Sequence, residues 1–470
     1  MSATATTEKK YLKWYQKLAY GSGDLASNCS YGLVSSFVLL YLTGTLGLDS
    51  AIIGSLMLAS KVLDGISDVI FGTLIDRTHS KLGKARPWLL LGQVGVSLCL
   101  FLLFAIPAGS TTMQYIYFFI VYTALNAVFY TANGIAYSSL VALITKNNNE
   151  RVQLGSFRFM FAVVTNIFMG FAVTGMVEKF GSGAAGWRTT ALIFAIVGLV
   201  VNTISCLAVK ELPEEELSGN TSEAAEEGKA VAEEKKHGFA ETAKILVHNK
   251  YYLMILAIYI VYYIMSNLTT GAGVFCATYY WGDGSLLGQF SMMKMFPVII
   301  ALAIAPVLIK KTGSMQKVNF WGYAISSVLG IPMIYFAMQK NLSMFLLFMF
   351  IKGVFAGTLS GSLNALIAEA SGYTTRTTGI HMDGMMYSCS SLGVKVGGGI
   401  GTAAVGWLLK LGGFVGTATV QSESAIRMIF NLYITFPFVI GIIITVLLAF
   451  LDVEKANKKW DAEHKKEAQA

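Results

Sequence analysis

The sequence predicts an all-α membrane protein of twelve transmembrane helices, arranged as two groups of six with both termini in the cytoplasm. Composition is the first reason. Hydrophobic residues make up 54% of the chain and charged ones 13%, with a mean hydropathy of +0.59. An ordinary soluble domain has about 25% charged residues. The second reason is recurrence. Crossing a bilayer takes about 20 mostly apolar residues, and such runs fall at 18–42, 51–75, 87–107, 113–144, 155–178 and 187–209. A second set follows at 250–280, 286–309, 318–338, 342–369, 383–410 and 425–451.

The third reason is where the basic residues sit. Lys9, Lys10, Lys13 and Lys17 precede the first run, Arg77, Lys81, Lys84 and Arg86 follow the second, and Lys146 and Arg151 follow the fourth. Lys310, Lys311 and Lys317 follow the eighth, and Lys455, Lys458, Lys459, Lys465 and Lys466 follow the last. The alternate loops at 43–50, 108–112 and 281–285 carry no Lys or Arg. Positive loops stay in the cytoplasm, which fixes the expected orientation. The organisation read from these runs is a cytoplasmic tail at 1–17, six helices over 18–209, a charged linker at 210–248, six helices over 249–451 and a cytoplasmic tail at 452–470. A short surface helix is expected at Phe239–Val247 in the linker. The polar, basic start has no small-residue cleavage site and reads as a tail, not a signal peptide.

Several function classes fall away. The net charge of +8 is explained by topology and does not indicate nucleic-acid binding. Cys29, Cys99, Cys206, Cys276 and Cys389 all lie in apolar runs without paired spacing, giving neither a metal site nor a disulfide framework. The five histidines are scattered through loops and tails, and no nucleophile motif or phosphate-cradling loop is found. An enzyme is therefore not expected, nor any cofactor. A channel would need a repeated filter segment, which is not seen.

Chemistry concentrates in the second run, in Ser60–Asp68, SKVLDGISD. Lys61, Asp64 and Asp68 are spaced i,i+3 and i,i+4, so a helix puts all three on one face with Ser67 beside them. Ionisable groups at membrane depth cost roughly 2.5–3.5 kcal/mol each on insertion scales and usually face a cavity. Two acids and one base leave an acid over for a cation; the alternative is a charge-compensated cluster that only holds helices together. Depth matches Asp64 and Asp68 with Tyr130, Thr131 and Asn133 in the fourth run, Asn28 in the first and Lys395 in the eleventh. Polar groups of both halves are expected near the midplane, where secondary transporters bind substrates and ions.

The loop Gly72–Trp88, GTLIDRTHSKLGKARPW, resembles the loop between helices two and three of major facilitators. Its full DRT…GK.RPW form is similar to the glycoside–pentoside–hexuronide:cation symporter family, the melibiose-permease-like branch of that superfamily. GSGDLASN (Gly21–Asn28), ERVQLGSFRF (Glu150–Phe159) and TGIHMDGMMYS (Thr378–Ser388) with Lys395 resemble further family stretches in both halves. The resemblance implies the major facilitator fold, two six-helix pseudo-repeats, and a monomeric secondary transporter of the cytoplasmic membrane. It would couple Na+ or H+ to symport of a small sugar or glycoside. It further implies a cation site at Asp64, Asp68, Ser67 and Thr131, with Na+ a candidate between the two aspartates and Lys61 compensating the empty site. Ser67 stands where an asparagine ligand is usual, so the ion stays open.

On the sugar side, Asn28 and Gly134 stand at the aspartate positions of galactoside carriers, and Ser360 and Ser138 at tryptophan positions. A galactoside grip is not expected. Arg158, Lys395 and the Ser391 hydroxyl are retained, and the GD…N pattern looks like the glucuronide-type branch. Lost carboxylates with retained cations would favour an anionic sugar by Coulomb attraction; a neutral pentoside or glucoside is the alternative. Asp24, one turn from Asn28, is expected to line the path or to pair with a helix end. Tyr130, Asn133 and Tyr137 either contact sugar or make interhelical hydrogen bonds. Arg158 either meets substrate or snorkels to the headgroups. Asp76, Arg77, Lys84 and Arg86 read as a cytoplasmic gate latch. Lys352 and Glu369 read as interfacial anchor and latch partner. Gly353, Gly357 and Gly361, and Gly397–Gly399, predict close helix packing. The competing class is a facilitator-fold exporter or lipid carrier.

Overall fold

A computed structural model describes residues 9–213, 245–380, 383–418 and 420–467. Most of the linker, with the larger part of the expected 239–247 helix, lies outside the described residues; 245–248 are helical. The regular structure is helical throughout: α1 (Trp14–Gly21), α2 (Gly23–Gly44), α3 (Ser50–Asp76), α4 (Arg86–Leu103), α5 (Thr111–Thr123), α6 (Thr131–Ile144), α7 (Asn148–Lys179) and α8 (Gly183–Ala208). There follow α9 (Lys250–Phe275), α10 (Leu286–Thr312), α11 (Met315–Met338), α12 (Leu342–Thr378), α13 (Asp383–Leu392), α14 (Gly398–Leu411), α15 (Glu423–Phe430), α16 (Phe436–Phe450) and α17 (Val453–Glu467). Turns of π-helix at Ala124–Tyr130, Gly393–Gly397 and Asn431–Thr435 join neighbouring helices, and one at Cys276–Tyr280 extends α9.

Among the described residues, eleven helical segments are long and apolar enough to cross a membrane, α1 and α2 together forming the first. α3, 27 residues long, lies outside that set. The chain forms two compact units. The first comprises residues 1–219, 277–288 and 406–426, and the second 220–276, 289–405 and 427–470.

Helix starts follow local chemistry. Asp49 Oδ1 accepts from Ala51 N (2.9 Å) at the head of α3, Asn147 Oδ1 from Glu150 N (3.1 Å) at α7, and Asn249 Oδ1 from Tyr251 N (2.9 Å) at α9. Each satisfies an amide that the first helical turn leaves unpaired. Within the first unit Asp49 also meets Lys410 Nζ at 2.6 Å. Partial desolvation works against ionisation of Asp49, but the Lys410 hydrogen bond and the Ala51 and Ile52 amides outweigh it and hold the carboxyl below its ordinary range.

Two glutamates do the same job in the two units. Glu211, just beyond α8, accepts from the amides of Lys84 (2.7 Å), Ala85 (3.0 Å) and Arg86 (3.1 Å) at the head of α4. Glu454, just beyond α16, accepts from the Ser314 hydroxyl and from the amides of Met315 (2.8 Å) and Gln316 (3.0 Å) at the head of α11. An anion at a helix N-terminus gains from both the orphan N–H groups and the helix dipole. In each unit the residue after one long helix thus pins the start of another.

Close packing appears where the glycines predicted it. A Cβ on Gly353 would stand 2.9 Å from Pro297 Cβ, and one on Gly357 2.7 Å from Ala301 Cβ, so α12 lies directly against α10. Glu211→Ala or Glu454→Ala should lower the midpoint of thermal unfolding in detergent, by the equivalent of about 1–3 kcal/mol for orphaned buried donors. Glutamine at either position keeps one acceptor and should cost less.

Candidate functional site

The charges of α3 are held by the first unit. Lys61, Asp64, Ser67 and Asp68 are all half-buried. Lys61 Nζ lies 3.5 Å from Asp64 Oδ2 and 5.5 Å from the centroid of the Tyr31 ring, an ion pair and a cation–π contact on one ammonium. The Ser67 hydroxyl donates to the Asp64 carbonyl at 2.9 Å, one turn back along its own helix, which leaves its lone pairs available.

Thr131 closes the constellation. Its Oγ1 lies 2.6 Å from Asp64 Oδ1 and 2.9 Å from the carbonyl of Asn126. A helical threonine usually reaches the carbonyl three or four residues back. Here the π-helical turn 124–130 immediately precedes Thr131 and brings the carbonyl five back into reach. Such turns recur at functional sites. The hydroxyl has one proton and two acceptors. Donating to Asp64 it neutralises a lone pair of the carboxylate; turned to Asn126 it offers Asp64's side an oxygen ligand. Asn126 itself is 1% exposed, and its amide oxygen has no donor among the described residues.

Tyr31 joins this cluster to the polar face of α2. Its ring stacks on Tyr130, with centroids 5.0 Å apart and planes at 23°. Asp24, Asn28 and Tyr31 are spaced i, i+4 and i+7, one face of the helix. Arg158 Nε, from α7, lies 2.6 Å from Asp24 Oδ2, and its guanidinium sits 4.3 Å from the Tyr137 ring centroid. Asn28 Oδ1 accepts from Asn166 Nδ2 at 2.9 Å while its own amide donates to the Asp24 carbonyl at 2.7 Å.

Arg158 therefore does not stand as a lone positive charge. Asp24 faces it across the helix contact and takes up the charge. Asn133 and Tyr137 make interhelical hydrogen bonds, one of the two uses expected of them. Asn133 Nδ2 donates to the Leu89 carbonyl at 2.9 Å, and the hydroxyls of Tyr137 and Tyr20 each donate to the other's carbonyl at 2.5 Å. Both side chains are about 2% exposed, so they hold α4, α6 and α1 together.

The four residues read as a gate latch also divide. Asp76 and Arg77 are exposed at the end of α3. Lys84 lends its amide to Glu211, and Arg86 is buried, donating from Nε to the Cys206 carbonyl (3.1 Å) and from Nη1 to the Leu82 carbonyl (3.2 Å). Arg86 is an internal brace between the 77–85 loop and α8, because its guanidinium is the group that satisfies the last carbonyls there.

In the second unit Ser391 is exposed, and Lys395 is half-buried in the π-helical turn 393–397. Glu369 Oε2 accepts from Asn457 Nδ2 at 2.8 Å. Lys352, expected at an interface, instead lines an internal cavity with Lys294. Reading the sequence missed Lys294, Tyr31, Asn126 and Asn166. A lone lysine inside the apolar run 286–309 and the i+7 spacing of Tyr31 from Asp24 were available signals; for Asn126 and Asn166 there was none.

Over residues 19–455 the chain matches the family described as MFS/sugar transport protein. It is 26% identical over 459 residues to the isoprimeverose transporter of Lactiplantibacillus pentosus, covering 97% of this chain and 92% of that one. It is 24% identical over 444 residues to the putative glycoside/cation symporter YagG of Escherichia coli strain K12, covering 94% and 92%. A crystal structure of a D-xylose-proton symporter superposes with a TM-score of 0.63 at 12% identity, covering 94% of this chain and 98% of that chain, a likeness that speaks to fold. A match that runs from the first long helix to the last, on a chain of apolar helices with a charged cluster at membrane depth, places this protein in the MFS/sugar transport protein family of multi-pass membrane transporters.

Proposed function

We propose that the protein is a secondary active transporter of the cytoplasmic membrane, coupling inward movement of Na+ or H+ to symport of a glycoside-type sugar. The Asp64–Thr131–Lys61 constellation carries this reading. A helix meant only to span a bilayer has no use for two carboxylates at half-buried positions, and Thr131 supplies a switchable hydroxyl 2.6 Å from Asp64. Relatives named for isoprimeverose and for glycoside/cation symport support the same class of substrate and coupling. The topology that goes with it has α3 as the twelfth span, six helices on either side of the 210–248 linker, both termini in the cytoplasm and a monomeric carrier.

The cluster on α3 sets one ammonium, Lys61, against two acidic side chains, Asp64 and Asp68, an excess of one acid among its own residues. A bound Na+, with oxygens from Asp64, Asp68, Ser67 and Thr131, removes that excess; protonation of a carboxylate does so equally well. Coupling then follows from linkage, because the state that holds the cation also holds the sugar more tightly, and each ligand raises the affinity for the other by the same factor. Tyr31 and Tyr130 form the physical connection from the cation cluster to Asp24 and Asn28. Those two, with Arg158 and Tyr130, are the proposed sugar-facing groups of the first unit, and Ser391 and Lys395 those of the second. Arg158 is paired with Asp24 and so does not by itself favour an anionic sugar over a neutral pentoside or glucoside.

Uptake into vesicles with Na+ and H+ gradients imposed separately, over a panel of neutral glycosides and uronides, tests the reading. One of the two gradients should drive accumulation, and Asp64→Asn should abolish it while leaving passive exchange. Accumulation by Asp64→Asn equal to that of the unaltered protein would sink the assignment. For the Asp24–Arg158 pair, Asp24→Asn and Arg158→Gln should each lower thermal stability more than the double substitution does. Leaving one charge unpaired at depth costs more than removing both. Additive losses in the cycle would show the pair to be uncoupled.

A further inference from the structure

The second unit holds a partly open cavity of about 190 Å³ among α9, α10, α11, α12 and α16. Its lining is apolar apart from Lys294 on α10, Lys352 on α12, Tyr323 on α11 and the hydroxyls of seven further residues, Thr269 and Ser360 among them. No Asp or Glu is among the lining residues. Lys294 Nζ reaches only neutral partners, the hydroxyls of Thr269 (3.3 Å) and Thr270 (3.1 Å). Lys352 has no hydrogen-bond or ion-pair partner among the described residues. The two lysines lie at one level, because Gly353, next to Lys352, packs on Pro297 and the carbonyl of Met293, next to Lys294. Tyr323 is an independent sign. It is 2% exposed, and its hydroxyl has no hydrogen-bond partner among the described residues.

Two ammonium groups without a counter-charge are costly at membrane depth, and a buried hydroxyl without a partner loses a hydrogen bond that water would have made. One occupant corrects all three faults, a group that carries negative charge and accepts hydrogen bonds. The volume is that of about six waters of the liquid, below the roughly 300–1,000 Å³ of ordinary ligand pockets. It suits a small oxyanion and not a whole glycoside. We propose that this cavity is an anion site that takes a small free oxyanion of the phosphate or carboxylate class, with Lys294 and Lys352 as counter-charges and Tyr323 and Thr269 as hydroxyl partners. The site is separate from the cation cluster of the first unit, and its existence does not depend on the symport reading.

The test is thermal unfolding of the purified full chain in detergent, in a chloride-free zwitterionic buffer, titrated with inorganic phosphate, glucuronate or glucose. Phosphate should raise the midpoint saturably, and glucose should not. Glucuronate raising it as phosphate does assigns the site to the carboxylate of an acidic sugar, and phosphate acting alone assigns it to a free inorganic anion; both uphold the oxyanion chemistry. Lys352→Met should unfold no lower than the unaltered protein without ligand, since it removes an uncompensated charge, and should need at least tenfold more phosphate for the same shift. Lys352→Arg should retain the response, and so should Asp64→Asn, which separates failure of this site from failure of the cation site. Absence of a shift with either anion, or an undiminished response in Lys352→Met, overturns the proposal.

Discussion

A carboxylate at membrane depth has to be compensated, and the architecture around Asp64 is arranged by that requirement. Asp64 is half-buried in a largely apolar helix, and charge comes to it from Lys61 and a hydrogen bond from Thr131. Lys61 can sit where it does because Tyr31 offers the face of its ring. Thr131 can reach Asp64 because its helix begins where a π-helical turn ends. Each of these features is otherwise unexplained: an aromatic under an ammonium, an irregular turn within a long rod, a polar cluster in an apolar span. They share a cause. All three converge on the Asp64 side chain.

The same rule orders the rest of the first unit. Arg158 and Asp24 are half-buried as a pair at 2.6 Å, and Asn166 donates to Asn28 across the α2–α7 contact. Glu150 takes the Tyr11 and Leu12 amides, the Thr145 hydroxyl and the Lys17 ammonium, and so ties the N-terminal segment to the head of α7. Glu211 and Glu454 gather orphan helix amides in their respective units. Against this background the cavity around Lys294 and Lys352 is the exception. It is a place where buried charge lacks protein compensation, which is why an external anion is assigned to it.

Much of this was legible in the residues. Long apolar runs dictate helices because a bilayer leaves no other way to satisfy a backbone, and all twelve runs are helical in the structure. The i,i+3 and i,i+4 spacing of Lys61, Asp64 and Asp68 placed their cluster, and Asn147 and Asn249 announce their helices as caps. What the sequence could not supply is the pairing of side chains across helices. Glu211 lies in a stretch that reads as solvated linker, and only the packed head of α4 makes it a cap. Arg158 looked like spare positive charge because nothing in the chain order brings α2 and α7 together. Asn133 and Tyr137 looked like sugar ligands because a polar residue in a span has two uses, and only the contact partner tells them apart. The π-helical turns carry no recognisable pattern, so the reach of Thr131 to Asn126 was invisible.

The central claim is that Asp64 and Thr131 form a cation site. Equilibrium binding of Na+ to the purified protein, with proton release recorded in the same titration, tests it most directly. The account predicts one saturable cation per chain, Na+ or H+ competing for the same place, lost in Asp64→Asn and weakened at least tenfold in Thr131→Ala but not in Thr131→Ser. Undiminished stoichiometry and affinity in Asp64→Asn would contradict it.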